Sequence, residues 1–241
     1  MPTDRRVKLW RLVVEQAHGD PVTIDHVCAA MRVVAGVDGV SVTVTLPAGP
    51  RETVYASNRV ATDLAELALT VGEGPSLAAA GGGPVLAADL TTSERRAEWP
   101  AFAAAADAMG VRAVFALPLQ VGGVRLGVID LHRGHAGPLS REQVESALLL
   151  ADTACALLID AADKTVPTQP GREPERARLQ HPEVHQATGM IIAQLGVSAA
   201  VALVRLRAYA YAHDRRLRDV ARDVVARRLR FDPDEPGDDS P

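Results

Sequence analysis

Between His181 and Arg230 stand nine arginines, at 205, 207, 215, 216, 218, 222, 227, 228 and 230, against four carboxylates, Glu183, Asp214, Asp219 and Asp223. That surplus of five cations belongs to a chain whose net charge is −4. At about 100° per residue, Arg215, Arg218 and Arg222 fall within roughly 60° of one another on a helix, turned away from its apolar stripe. Arg207 lies on the outer side of the preceding helix, in line with Val204 and Tyr211. Guanidinium groups beside an aromatic ring suit phosphate contact with base stacking, the way unpaired RNA is gripped. Arg207, Tyr211, Arg215, Arg218 and Arg222 are therefore the candidate nucleic-acid contacts. A solvated arginine face is the plain alternative, and charge by itself does not separate the two.

No other stretch offers reaction chemistry. There is no nucleophile elbow, Walker loop or metal-ligand spacing. His181 and His185 form a helical i,i+4 pair but lack the Glu-x-x-His context of a zinc site and a third ligand. Gly72-Glu-Gly-Pro75 lacks the lysine of a phosphate cradle and reads as a tight loop. Cys28 and Cys155 are too few and too far apart for a disulfide framework, and their apolar helical settings predict buried thiols. The expectation is a protein that is not an enzyme, with no catalytic residue, metal site or cofactor.

Three helices must position the arginines. Pro182 suits a first helical position and Gly196 the residue after a last turn, which predicts a helix over 182–195 with Val184, Ala187, Thr188, Ile191 and Leu195 on one face. Ser198 is an N-cap for a second, where Ala202, Leu206, Tyr209, Ala210 and His213 recur at helical steps. Asp214 is placed to cap a third, over 215–230, with Leu217, Val220, Ala221 and Val224 inward. The result is an all-α three-helix bundle over 181–231. Its motifs, Gln-Ala-Thr-Gly-Met-Ile from Gln186, Val-Ser from Val197 with the arginine-bearing helix that follows, and Arg-Leu-Arg-Asp-Val-Ala from Arg216, resemble the ANTAR domain, the RNA-binding module of transcription antitermination regulators. Small residues (Ala187, Gly189, Ala202, Ala210, Ala221) are expected where the helices approach. One departure is Thr188, where many members carry a lysine.

In the first two thirds, helices are predicted over 4–18, with Val7, Trp10, Val14 and Ala17 as the apolar face, and over 22–35, with Ile24, Val27, Cys28, Met31 and Val34 inward. Alternation over Val40–Leu46 predicts a strand, Pro47–Pro50 a turn, and 52–57 the hairpin partner. A short helix over 60–69, a brief strand near 85–87 and a helix from Trp99-Pro100 follow. Ala113–Val121 and Val124–His132, joined by Gly122-Gly123, predict a second hairpin with Pro118 at a bulge or an edge. A long helix from Ser140 to Asp163 closes an α+β domain, an antiparallel sheet covered by helices. Gly-Glu-Gly-Pro and the Ala-Leu-Pro-Leu-Gln-Val-Gly to Leu-Gly-Val-Ile-Asp-Leu hairpin resemble a GAF sensor domain. That resemblance makes Tyr55, Trp99, Phe115, Asp130 and His132 candidates for a small-molecule pocket, and marks Ser76 as a position where similar regulators often carry a cysteine.

The expected organisation is a sensor domain over 1–165, a Pro-rich linker over 166–180, the bundle over 181–231 and an acidic, disordered tail over 232–241. Pro167, Pro170 and Pro174 prevent one continuous helix from joining the domains. With no long apolar run and no signal core at the N-terminus, a cytoplasmic location away from membranes is expected. The resemblances imply a regulator that binds hairpin loops in leader RNA as a homodimer, paired through the Val204 and Tyr211 line or the Val225 and Leu229 line. Two alternatives stay open: a helix-turn-helix-like DNA-binding regulator, or a signalling adaptor that docks an acidic protein.

Overall fold

Runs of apolar residues that alternate with small or polar ones draw the first part of the chain into strands. They are β1 (Gly39–Thr45), β2 (Arg51–Ala56), β3 (Val85–Ala87), β4 (Ala113–Val121) and β5 (Val124–Arg133), one antiparallel sheet in the order β2-β1-β5-β4-β3. The computed structural model describes residues 2–45, 51–165, 182–213 and 215–232. They fall into two compact units, the first holding these strands and the second the last three helices. The expected turn at Pro47–Pro50, the linker over 166–180, the Asp214 cap and the tail beyond Asp232 lie outside the described residues.

Pro118 pairs with Val128 of β5, while β3 reaches β4 only at Val114–Ala116. Pro118 therefore stands at a local edge, where a missing N–H costs the ladder nothing. The bulge comes one residue later, between Leu119 and Gln120.

Helices α1 (Pro2–Ala17) and α2 (Ile24–Ala35) precede the sheet, α3 (Arg59–Val71), α4 (Pro75–Gly81), α5 (Ser93–Glu98) and α6 (Pro100–Ala108) lie between β2 and β4, and α7 (Arg141–Thr165) follows. α2 and α7 pack with α1 over one face of the sheet, around Val13, Cys28, Met31, Phe115, Ile129 and Leu150. Local chemistry fixes their ends. Ser140 and Gln143 cap α7 reciprocally, at 3.2 and 2.8 Å. Arg133 Nε and Gln143 Nε2 donate to the carbonyls of Gly36 and Ala35 at the end of α2, at 2.8 and 2.9 Å.

The extent of α1 matches the sequence pattern, but of its expected apolar face only Ala17 is buried. Leu9, Val13 and Ala17 are buried, whereas Val7, Trp10 and Val14 are 47%, 49% and 43% exposed. The helix is apolar on two sides, and periodicity alone does not say which side meets the core. α5 carries no apolar stripe and was invisible for that reason.

In the second unit, α8 (Pro182–Leu195), α9 (Ala199–Ala212) and α10 (Leu217–Val225) form the bundle. Val184, Ala187, Ile191, Ala202, Leu206, Ala210, Leu217, Val220, Ala221 and Val224 make its core. Ser198 caps α9 by accepting from Val201 N, 3.4 Å. Two expectations change. Gly189 is exposed and a Cβ there would meet nothing within 4 Å, so it is not a point of close helix approach. The third helix stops at Val225 rather than running to residue 230, because Arg227 turns left-handed at φ 58°. Arg227 N then bonds Val224 O at 2.9 Å and Arg228 N bonds Asp223 O at 2.8 Å, a Schellman-type end. Leu229 and Phe231 fold back on the bundle, with Phe231 N on Gln194 Oε1 at 3.1 Å and its ring edge-on to Tyr209.

Among the described residues no single helix is long and apolar enough to cross a membrane. α8 and α9 together are apolar enough but bend by 108°, and their apolar residues supply the bundle core.

Candidate nucleic-acid interface and sensor face

α9 carries Arg205 and Arg207 and no carboxylate. Its outward line holds Val201, Val204 and Tyr211, the last two each 60% exposed. Tyr209, on the inner side, stacks on His213 with ring centroids 3.9 Å apart, which leaves Tyr211 as the outward aromatic of the pair. Arg207 is half-buried.

The arginines of the third segment are ordered by carboxylates of the same bundle. Arg215 Nη2 meets Asp223 Oδ2 at 2.6 Å, and Arg228 Nη2 meets Asp223 Oδ1 at 2.6 Å. Their hydrogen bonds hold the Asp223 carboxyl below its usual range. Arg222 reaches Asp219 at 3.2 Å and Glu183 at 3.4 Å, while Arg218 Nε lies 4.0 Å from Asp219. The structure thus brings Arg215, Arg218 and Arg222 to the α10 side of the bundle as members of an ion-pair network, not as a bare cationic row. Arg227, in the Schellman turn, and Arg230, beyond it, are exposed; reading the third helix to residue 230 hid their setting. Val225 and Leu229, offered as a pairing surface, pack against the bundle core, so only the Val204 and Tyr211 line remains outward.

In the sensor unit, the five pocket candidates do not converge. A bulge between Val42 and Thr43 turns Tyr55 toward the helix-covered side, where it packs with the core. Phe115 is fully buried on that side with the Arg133 guanidinium 5.6 Å from its ring. Trp99 sits between α5 and α6, with Arg95 5.3 Å from its ring. Asp130 and His132 alternate onto the opposite face, where α4 packs on Ala116 and Val128. The His132 ring lies against Gly39 so closely that no Cβ fits there, and burial lowers its pKa against the pull of Asp38.

Asp130 is the centre of that face. Burial pushes its pKa up to about 6, opposed by a hydrogen bond from the Ser76 hydroxyl and by the charge of Arg51. Oδ1 of Asp130 and Nη1 of Arg51 are both buried without a hydrogen-bond partner. Thr43 and Thr53 hydroxyls meet beside them at 3.3 Å. Sequence reasoning missed Arg51 here and read Ser76 only as a position where similar regulators often carry a cysteine; Arg51, two residues from Thr53 on the same strand, carried the readable signal.

Gly72-Glu-Gly-Pro75 is more than a turn. Glu73 Oε1 accepts from Ala101 N at 2.7 Å and Phe102 N at 2.8 Å, capping α6. Gly74 follows at φ 120°, and a Cβ there would stand 2.8 Å from the Phe102 ring. Both cysteines are free and buried, and burial raises the Cys28 thiol far above its usual range and Cys155 to about 11.

Comparison with known families agrees with this architecture. Residues 21–158 match the GAF domain and residues 173–225 the ANTAR domain. No curated protein matches the chain. Among solved structures, the GAF domain of a phosphoenolpyruvate-protein phosphotransferase from Coxiella burnetii is similar at 15% identity, covering 68% of this chain and 98% of that one, TM-score 0.49. A domain of a two-component sensor histidine kinase protein from Sinorhizobium meliloti is similar at 14% identity, covering 58% and 92%, TM-score 0.47. The five antiparallel strands under helices lie within the first match and the helices of the bundle within the second, and the chain belongs to the regulators that join a sensory GAF domain to an RNA-binding ANTAR domain.

Proposed function

We propose that this protein is a transcription antitermination regulator whose ANTAR bundle grips hairpin loops in a nascent leader transcript, so that a terminator stem does not form. The observation that carries the reading is the bundle surface itself. It sets outward Tyr211 on a helix with two arginines and no carboxylate, in a bundle whose arginines outnumber its carboxylates. Arg207, Tyr211, Arg215, Arg218 and Arg222 remain the proposed contacts, joined by exposed Arg227 and Arg230. Two hairpins need two bundles, so the active form is a homodimer, and the protein works in the cytoplasm. Residues 1–165 act as the sensor, 166–180 as a semi-extended tether, 181–231 as the RNA-binding bundle and 232–241 as an acidic tail. On the sensor, a small polar molecule that hydrogen-bonds Asp130 and Arg51 is the proposed kind of signal.

A helix-turn-helix reading is less well supported. Residues 215–230 contain no Asn, Gln, Ser or Thr to read base edges in a major groove. The test is a gel shift with a two-hairpin RNA against duplex DNA of equal length. Four phosphate contacts would give a salt slope of about −3, hence roughly a 50-fold loss of affinity from 50 to 200 mM salt. Equal affinity for the DNA, or no salt dependence, refutes the proposal.

A further inference from the structure

Phe231 fixes the point where residues 232–241 leave the bundle. Its N–H donates to Gln194 Oε1 at 3.1 Å, its ring stands edge-on to Tyr209, and Asp232 after it is exposed. Three arginines gather around that point. Arg205 lies one helical turn before Tyr209 on the same side of α9, while Arg227 and Arg230 come shortly before Phe231 in the chain and are exposed. None of the three makes an ion pair among the described residues, because the described carboxylates of the bundle, Glu183, Asp219 and Asp223, go to other arginines. The missing negative charge follows directly in the chain. Asp232, Asp234, Glu235, Asp238 and Asp239, with no basic residue among them, equal the surplus of five cations over residues 181–230.

We propose that residues 232–241 fold back over Arg205, Arg227 and Arg230 and occupy surface that RNA phosphates would take, as an internal competitor for the bundle. This contact rests on the RNA-binding reading above and adds its regulation. Charge and reach select the occupant. Pro233 and Pro236 disfavour a helix, and at about 3.1 Å per residue the ten residues reach about 31 Å, more than the about 21 Å length of α9. Tethered beside its site, the segment acts at an effective concentration on the order of millimolar. Each exposed ion pair is weak and screened by salt, so the segment covers the arginines without locking them, and an RNA that brings several phosphates displaces it. Every polyanion has to displace the same segment. It therefore lowers all affinities by one factor, setting a threshold for binding without reading sequence.

The test compares the full chain with a neutral version carrying Asp232→Asn, Asp234→Asn, Glu235→Gln, Asp238→Asn and Asp239→Asn, none of which belongs to the bundle core. Affinity for a two-hairpin RNA and for inorganic polyphosphate should each rise roughly tenfold at about 50 mM salt, the combined effect of three exposed ion pairs, and less than about twofold at about 300 mM. A spin label on Ser240→Cys reads the contact without RNA, since Cys28 and Cys155 are buried. It should broaden the Nε–H signals of Arg205, Arg227 and Arg230 at low salt, and leave them sharp when the other five changes are added. Unchanged affinities in the neutral version overturn the competitor and leave RNA binding standing. A rise without broadening means that the charges act from a distance, which overturns the contact. If neither version binds RNA, the RNA reading fails, while the polyphosphate and broadening measurements still decide whether the segment covers the arginines.

Discussion

Replacing Asp130 by Asn should stabilise the sensor unit, and by more at neutral pH than in mild acid. Asp130 is buried with its pKa raised from 3.8 to about 6, so the folded state binds its proton more tightly than the unfolded chain does. Its contribution is therefore most favourable below about 3.8 and is lost as the pH rises through about 6. A shift of about 2 units corresponds to about 3 kcal/mol when complete above pH 7, and to about half of that at pH 5. Asn keeps an oxygen to accept from Ser76 and carries no charge. The gain of Asp130→Asn over the wild type should accordingly double between pH 5 and pH 7.5. Urea unfolding followed by tryptophan fluorescence reads this directly, since Trp10 and Trp99 both lie in the first unit. An equal gain at the two pH values would mean that the Asp130 carboxyl titrates normally, and the account of its burial would fail.

Other outcomes follow from the same structure. Glu73→Ala removes the acceptor for Ala101 and Phe102 and should cost the sensor about 1 kcal/mol in the same assay; no change would mean that the cap is dispensable. Gly189→Ala should stabilise the bundle by about 0.5–1 kcal/mol, because the site is helical and open, and a loss of RNA affinity despite that gain would show that RNA approaches the backbone there. Asp223→Asn releases Arg215 and Arg228 from their common partner. Affinity for unstructured RNA should rise while the preference for looped RNA falls, and an unchanged preference would refute a role for the network in recognition. A thiol reagent at pH 8 should label neither Cys28 nor Cys155 until denaturant is added, whereas labelling of the native protein would contradict their burial.

The fold was legible where one residue pattern had one outcome. The long hairpin of β4 and β5 and the caps at Ser140 and Ser198 are local signals that tertiary packing leaves unchanged. The α1 face was legible only at Ala17, since Val7, Trp10 and Val14 compete on equal terms with Leu9 and Val13 until α2 and α7 are in place. The sensor candidates scattered for a related reason. The single bulge after Val42 puts Tyr55 on the opposite side of the sheet from Thr53, and a shift of one residue in register exchanges the two faces of a strand.

The arginines show a different limit. Helical spacing placed them on a common side, but it treats each charge as independent of the rest, and Arg215, which precedes α10, pairs with a carboxylate eight residues on, beyond the i,i+3 and i,i+4 steps at which helix side chains meet. That pairing does not cancel the surface. Asp223 holds two guanidinium groups, and Asp219 holds Arg222 with Arg218 nearby. The Asp223 cluster thus fixes arginine geometry with one carboxylate for two cations and leaves positive charge over, whereas Arg218 and Arg222 are matched by Asp219 and Glu183. Long side chains ordered in advance lose less rotamer freedom when a phosphate arrives. The ion pairs, which by count alone weaken the case for a polyanion surface, also make the remaining charge directional.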